Sequence, residues 1–232
     1  MILAALLFAT LATGPASSGV TFDQVTTVRR AGAPAPGVRS RVSCAGRRLR
    51  LEPLEAGGAA LVLRLDENRA LRLDPEARVA VEIDAERLRA RSQADAALAA
   101  GLMGAPEDGE LRPVELPGAR TIAGHACRGY RLTGRFVVVD AWVAEGLPVK
   151  AAVFADFLEW SGAGQALAGL VAGIRALPGF PLETRMRVNV LGETQETVST
   201  VTAIRVAPLP DSLFDAPAGW RVVRETTPEV PR

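Results

Sequence analysis

The stretch TIAGHACRGYRL, Thr121–Leu132, carries His125, the one histidine of the chain, and Cys127, one of two cysteines. An imidazole two residues from a thiol raises Cys–His nucleophilic chemistry, in which the ring draws off the thiol proton. On a strand the two side chains share a face. No third group is identifiable to orient the ring. A Ser–His–acid triad would also have to recruit His125, and the chain has no GxSxG elbow. Zinc needs three or four ligands in a compatible arrangement, and one histidine, two distant cysteines and scattered carboxylates supply no recognisable set. SGAGQ, Ser161–Gln165, is glycine-rich. It lacks the Lys and Ser/Thr of a phosphate loop and follows no strand. The residues therefore name no catalytic group, no metal ligand and no cofactor, and the expectation is a protein that is not an enzyme.

The elements that must position these residues belong to a globular chain of 232 residues, 48% hydrophobic and 23% charged. That length holds one large domain or two small ones. Its 26 arginines and one lysine, Lys150, are balanced by 26 acids for a net charge of +1. The two signs interleave, so no basic block marks a nucleic-acid face. MILAALLFATLATGPASSG opens with an apolar run and ends in Ala16, Ser17 and Ser18. This is the shape of a secretory signal cut after Ser18, too short to form a stable membrane span. The expectation is a periplasmic or secreted protein. In an oxidising compartment Cys44 and Cys127 could pair. The closed loop would contribute roughly 4.5 kcal/mol in the chain-entropy picture. Two free buried thiols are the alternative.

Period-two alternation runs through most of the remaining chain and predicts antiparallel strands with one wet face. Leu61, Leu63 and Leu65 oppose Arg64 and Asp66. Val79, Val81 and Ile83 oppose Arg78, Glu82 and Asp84. Met186, Val188 and Val190 oppose Arg185, Arg187 and Asn189. Thr197–Val206 is a ten-residue β-rich run. DENR (Asp66–Arg69) and DPEAR (Asp74–Arg78) read as turns. The parity change from Val42 and Cys44 to Leu49 and Leu51 predicts a β-bulge at Gly46. Ala85–Met103 reads as a helix with Asp84 as its N-cap. Its apolar stripe, Leu88, Ala94, Leu98 and Leu102, is thin. Val153–Leu177 has helical apolar spacing interrupted by Gly162, Gly164, Gly169 and Gly173, which predicts a broken or mobile helix. Gly104–Gly118 reads as a loop.

Five segments, taken in order, resemble proteins with the LolA/LolB-type fold, in particular an uncharacterised exported branch of that group. LVLRLDENRALRLDPEARVAVEI resembles its paired strands, and TIAGHACRGYRL its "i.G…c..y.l" strand. DAWVAEGLPV, LPGFPLETRMRV and the closing LPDSLFDAPAGWRVV resemble the strands and final motif that follow. The resemblance implies an α+β fold, a curved antiparallel β-sheet forming a half-barrel, with helices covering the concave face. Residues 1–18 would be the signal peptide, 19–224 a single domain and 225–232 a flexible tail. In that reading Cys127 is half of a disulfide with Cys44, and His125 is a strand-surface residue.

The lipoprotein carriers of this group hold acyl chains, and the implied function is a soluble exported carrier or binding protein for an apolar small molecule or lipid. The glycine-weakened helix is the expected lid. Phe154, Phe157, Trp160, Leu167, Leu170, Val171 and Ile174 would line the pocket. The alternative is an envelope protein-interaction or sensor module with a filled core. An apolar cavity of several hundred cubic ångströms would favour the carrier; a side-chain-filled interior would favour the module.

Overall fold

Alternating sequence requires neighbours, and a computed structural model of the chain shows what they are. It describes residues 17–30, 33–34, 36–103, 111–165, 167–190 and 193–225. The strands are β1 (Ser17–Arg30), β2 (Ala33–Pro34), β3 (Val38–Ala45), β4 (Arg48–Pro53), β5 (Ala60–Arg64), β6 (Arg69–Asp74), β7 (Val79–Glu82), β8 (Val114–Ile122), β9 (His125–Thr133), β10 (Val137–Ala144), β11 (Phe180–Val190), β12 (Glu193–Leu209) and β13 (Arg221–Arg224). The helices are α1 (Ala85–Met103), α2 (Ala152–Trp160) and α3 (Ala168–Arg175).

The described strands form one open sheet in the order β13-β7-β6-β5-β4-β3-β1-β12-β11-β10-β9-β8, with β2 beside β1. Every pairing is antiparallel except β13 with β7. The α+β class and the antiparallel sheet are as the alternation predicts. The chain closes the middle of the sheet late: β1 pairs along its length with β12, Ser17 opposite Leu209 and Arg30 opposite Gln195. Bulges at Asp23/Gln24 and Trp142/Val143 bend these long strands.

One face of the sheet carries the largest apolar cluster. Val20, Phe22, Val42, Cys44, Leu49 and Leu63 meet Cys127, Trp142, Ala144 and Phe180 there, and Val153 and Trp160 of α2 pack on them. The opposite face is not uniformly wet, which corrects the sequence expectation. Val62 and Leu71 are completely buried on it, against Phe214. The cover is a 3₁₀ turn at Asp211–Phe214, supplied by the chain after β12. Further along the same face Tyr130, Ala141 and Val143 are buried with Leu177 and Ile174.

Local signals held where their partners are local. Asp84 caps α1, its Oδ1 accepting from the Glu86 and Arg87 N–H groups. Asp74 Oδ1 accepts from Glu76 and Ala77 N–H and holds the second predicted turn. The Val153–Leu177 helix is broken, as its glycines predict: α2 ends at Trp160, Gly162 has φ 87°, and α3 begins at Ala168. Of the predicted α1 stripe, Leu88 packs on the main cluster and Ala94 is exposed; the side chains of Leu98 and Leu102 lie outside the described residues.

Three further expectations are corrected. Gly46 is not a bulge. It is the first residue of a two-residue hairpin turn between β3 and β4, with φ 59°, the sign a II′ turn needs there. The hairpin register, Cys44 opposite Leu49 and Val42 opposite Leu51, returns both pairs to one face despite their opposite parity. The predicted loop at Gly104–Gly118 is strand from Val114 onward. β8 lies at the sheet edge, where Pro117 is tolerated, and the ladder shifts between Leu116 and Ala119 to pass Pro117 and Gly118.

The third correction concerns the cysteines: Cys44 and Cys127 are both free. β3 and β9 are separated in the sheet by β1, β12, β11 and β10. At about 4.8 Å per strand, that order denies the neighbouring positions a disulfide needs. Most of the predicted signal peptide and of the tail lies outside the described residues. Ser17 and Ser18, before the predicted cut, already pair with Leu209 and Pro208.

Candidate functional site

α2 is positioned by its sequence and by both of its neighbours. Val153, Ala155 and Trp160 are buried, and Phe154 and Phe157 also pack toward the main cluster. The Phe154 ring lies 5.6 Å from Phe180, which meets Phe22 edge-on at 5.4 Å. Phe157 stacks on Trp160 at 6.4 Å. These separations are within the range of direct aromatic contact. Thus side chains occupy the space between this part of α2 and the sheet. The Trp160 indole Nε1 is buried without a hydrogen-bond acceptor among the described residues.

Charge holds the outer side of the helix. Arg175 of α3 donates to Asp156 at 2.6 Å and to both Glu159 oxygens at 2.7 Å. Arg47, in the β3–β4 turn, donates to the other Asp156 oxygen at 2.9 Å. The Glu159 and Asp156 carboxylates push the Arg175 guanidinium above its ordinary pKa. Arg89 of α1 donates to the Trp160 carbonyl at 3.0 Å. Both ends of the connection carry left-handed glycines, Gly146 before α2 and Gly162 after it.

The seven residues predicted to line one pocket separate in space. Phe154, Phe157 and Trp160 converge on the main cluster. Ile174 packs against Tyr130 and Val143, on the opposite face of β10 from Trp142. Leu170 and Val171 are buried on α3, and Leu167 is 36% exposed. The break at Gly162 accounts for the separation, because α3 no longer continues the α2 face. Phe22, Phe180 and Val153 complete the aromatic site. The sequence reading did not single them out.

In the opening pair the thiol bonds to the backbone. Cys127 Sγ donates to the His125 carbonyl oxygen at 3.4 Å. His125 is partly exposed, Cys127 buried. Burial raises the Cys127 thiol pKa, partly opposed by a backbone hydrogen bond at Ile122. Burial pushes the Cys44 thiol to about 12. Both thiols are therefore held away from the nucleophilic thiolate. Among the described residues no group of three or more His, Cys, Asp or Glu side chains is placed to hold a metal.

A cavity of about 510 Å³ opens at the other end of β10, beside the β9–β10 hairpin. Arg131, Thr133, Arg135, Phe136, Arg187 and Asn189 are among its walls. It is mixed in character rather than apolar, and the sequence reading missed it. Its faint signal was the two-residue spacing of arginines in RMR, Arg185–Arg187, with Arg131 on a separate strand.

The fold and this site define an α+β protein built on one open, curved, mostly antiparallel sheet, with an aromatic helix seated on an apolar face. Residues 69–220 match a family described as a domain of unknown function, DUF4412, and the chain belongs to that family. No curated protein matches the chain. Among solved structures, it is similar to PNGF-II in a C2 crystal form, with 10% identity over 89% of this chain and 31% of that one, at a TM-score of 0.42. A second PNGF-II structure, in space group P21, gives 12% identity, 88% and 31% coverage, and a TM-score of 0.40. The chain thus spans about a third of the length of PNGF-II. A LolA superfamily protein from Nitrosomonas europaea is similar at 12% identity over 87% of this chain and 91% of that chain, with a TM-score of 0.35. TM-scores below 0.5 leave function to this chain's own geometry. No described helix is long and apolar enough to cross a membrane.

Proposed function

We propose that the protein is an exported, non-enzymatic binding protein that holds an apolar ligand, a lipid or acyl chain, beneath α2. In this reading α1 and α2 cover the concave face of the sheet, and α2 is the lid. The observation that carries it is the seating of Phe154, Phe157 and Trp160 on an apolar sheet face by a helix flanked by Gly146 and Gly162. Such a helix can move as a unit by changes at two backbone positions. An acyl chain would replace its aromatic contacts, and the unpartnered Trp160 indole N–H would find an acceptor in a ligand head. Elements that open come from the less stable parts of a fold.

A second reading rests on the same ring contacts. Side chains already fill this space, which favours an envelope protein-interaction or sensor module with a closed core. One experiment separates the two. Protein purified from the periplasm is extracted and its lipids are identified by mass spectrometry; tryptophan emission is then followed as oleate or phospholipid is added to stripped protein. Stoichiometric lipid and a shift in emission support the carrier. Lipid-free protein with unchanging emission would leave the module.

A further inference from the structure

We propose that the cavity beside the β9–β10 hairpin is a binding site for a phosphate group, presented either as inorganic phosphate or as a lipid headgroup. Three arginines line it, Arg131, Arg135 and Arg187, and among the described residues no carboxylate does. Asp140 supports two of them from β10. It accepts from Arg131 Nε and Nη2 at 2.5 and 2.9 Å, and from Arg187 Nη2 at 3.0 Å. Because Arg131 Nη2 and Arg187 Nη2 share Asp140 Oδ2, the two guanidinium groups are fixed side by side. The Arg131 hydrogen bond holds the Asp140 carboxyl below its ordinary pKa, against the opposing effect of burial, so Asp140 remains an anion.

One carboxylate does not neutralise the group. Arg135 lies over the Phe136 ring, 4.8 Å from its centroid, and pairs with no carboxylate among the described residues. Arg187 Nε is buried without an acceptor among the described residues. Arg131, Arg135, Arg187 and Asp140 together leave an excess of two positive charges, which matches the −1.5 to −2 typical of a phosphate monoester near pH 7. Guanidinium forks pair with phosphate oxygens in bidentate geometry. Forks already oriented by Asp140 lose less freedom on binding. Thr133, Asn189 and Thr194 add neutral hydrogen-bonding groups to the lining. The volume falls within the usual range for small-ligand sites. α2 follows the opposite end of β10, so this site does not depend on an apolar ligand beneath that helix.

The test titrates the full chain at low ionic strength with inorganic phosphate by calorimetry. In parallel, the protein is sedimented with phosphatidylcholine vesicles, with and without phosphatidate. Wild type is compared with R135Q and R187Q. Arg135 lies over the Phe136 ring and takes no part in the Asp140 group, so R135Q tests the charge even if R187Q disturbs that group. Each variant is expected to weaken binding by at least about tenfold, R135Q with unchanged thermal stability. Binding of both probes, of inorganic phosphate alone or of phosphatidate vesicles alone supports the site and identifies its source. The inference is overturned if neither probe binds, if acetate binds as well as phosphate, if plain phosphatidylcholine suffices, or if R135Q leaves binding unchanged.

Discussion

Replacing Gly162 with alanine tests whether α2 is held as closely against α1 as its geometry requires. Gly162 has φ 87°, and an added Cβ would lie 2.7 Å from the Arg89 Cα and 3.0 Å from its carbonyl oxygen. The left-handed conformation alone costs about 1–2 kcal/mol for an L-residue. Forcing apart main-chain atoms of α1, rather than a flexible side-chain end, adds about 1–3 kcal/mol. The expected total loss is about 2–5 kcal/mol, large beside the about 5–15 kcal/mol stability typical of a native protein. Gly146→Ala is the control. Its φ is 83°, and nothing lies within 4 Å of the added methyl group. It should show only the conformational part. Urea unfolding followed by circular dichroism gives both values, and tryptophan emission reports whether Trp160 becomes exposed. Equal losses at the two positions would refute the close approach of Gly162 to the Arg89 backbone.

Phe180→Ala should destabilise by about 3–5 kcal/mol, because this 1% exposed ring meets both Phe22 and Phe154; a loss below about 1 kcal/mol in the same urea experiment would contradict that packing. Cys44 and Cys127 should resist a thiol reagent in native protein purified without reductant and label fully once it is unfolded; an intermolecular or intramolecular disulfide in the mass spectrum would contradict the free, buried thiols. The Cys44 shift also fixes the sign of an alkaline effect. A thiol whose pKa rises from 9.0 to about 12 on folding retains its proton in the native state longer than in the unfolded one. Stability should therefore fall as pH rises above about 9, and Cys44→Ala should flatten that fall.

The aromatic site was partly legible before its geometry. Phe154, Phe157 and Trp160 announce an apolar helix face by their spacing, and Gly162 announces its end. Leu167, Leu170, Val171 and Ile174 continue the apolar pattern, so the sequence grouped them with the same pocket. The break at Gly162 sends α3 in its own direction, and no periodicity carries that direction. The arginine cavity was harder to read, because Arg131 and Arg187 belong to strands more than fifty positions apart and meet only through Asp140.

Sequence by itself determined what depends on near neighbours along the chain. Alternation at two residues specified strands β5, β7 and β11; the Asp84 carboxylate, within reach of the next N–H groups, specified the start of α1. Strand order lies beyond that range. It is set by which apolar faces can be buried together, and it placed four strands between Cys44 and Cys127. The same long-range closure brought Phe214 over Val62 and made a second face dry. It also set Arg187 beside Arg131 at one end of β10 and the aromatic helix at the other, because β11 returns alongside β10 after the chain has passed through α2 and α3.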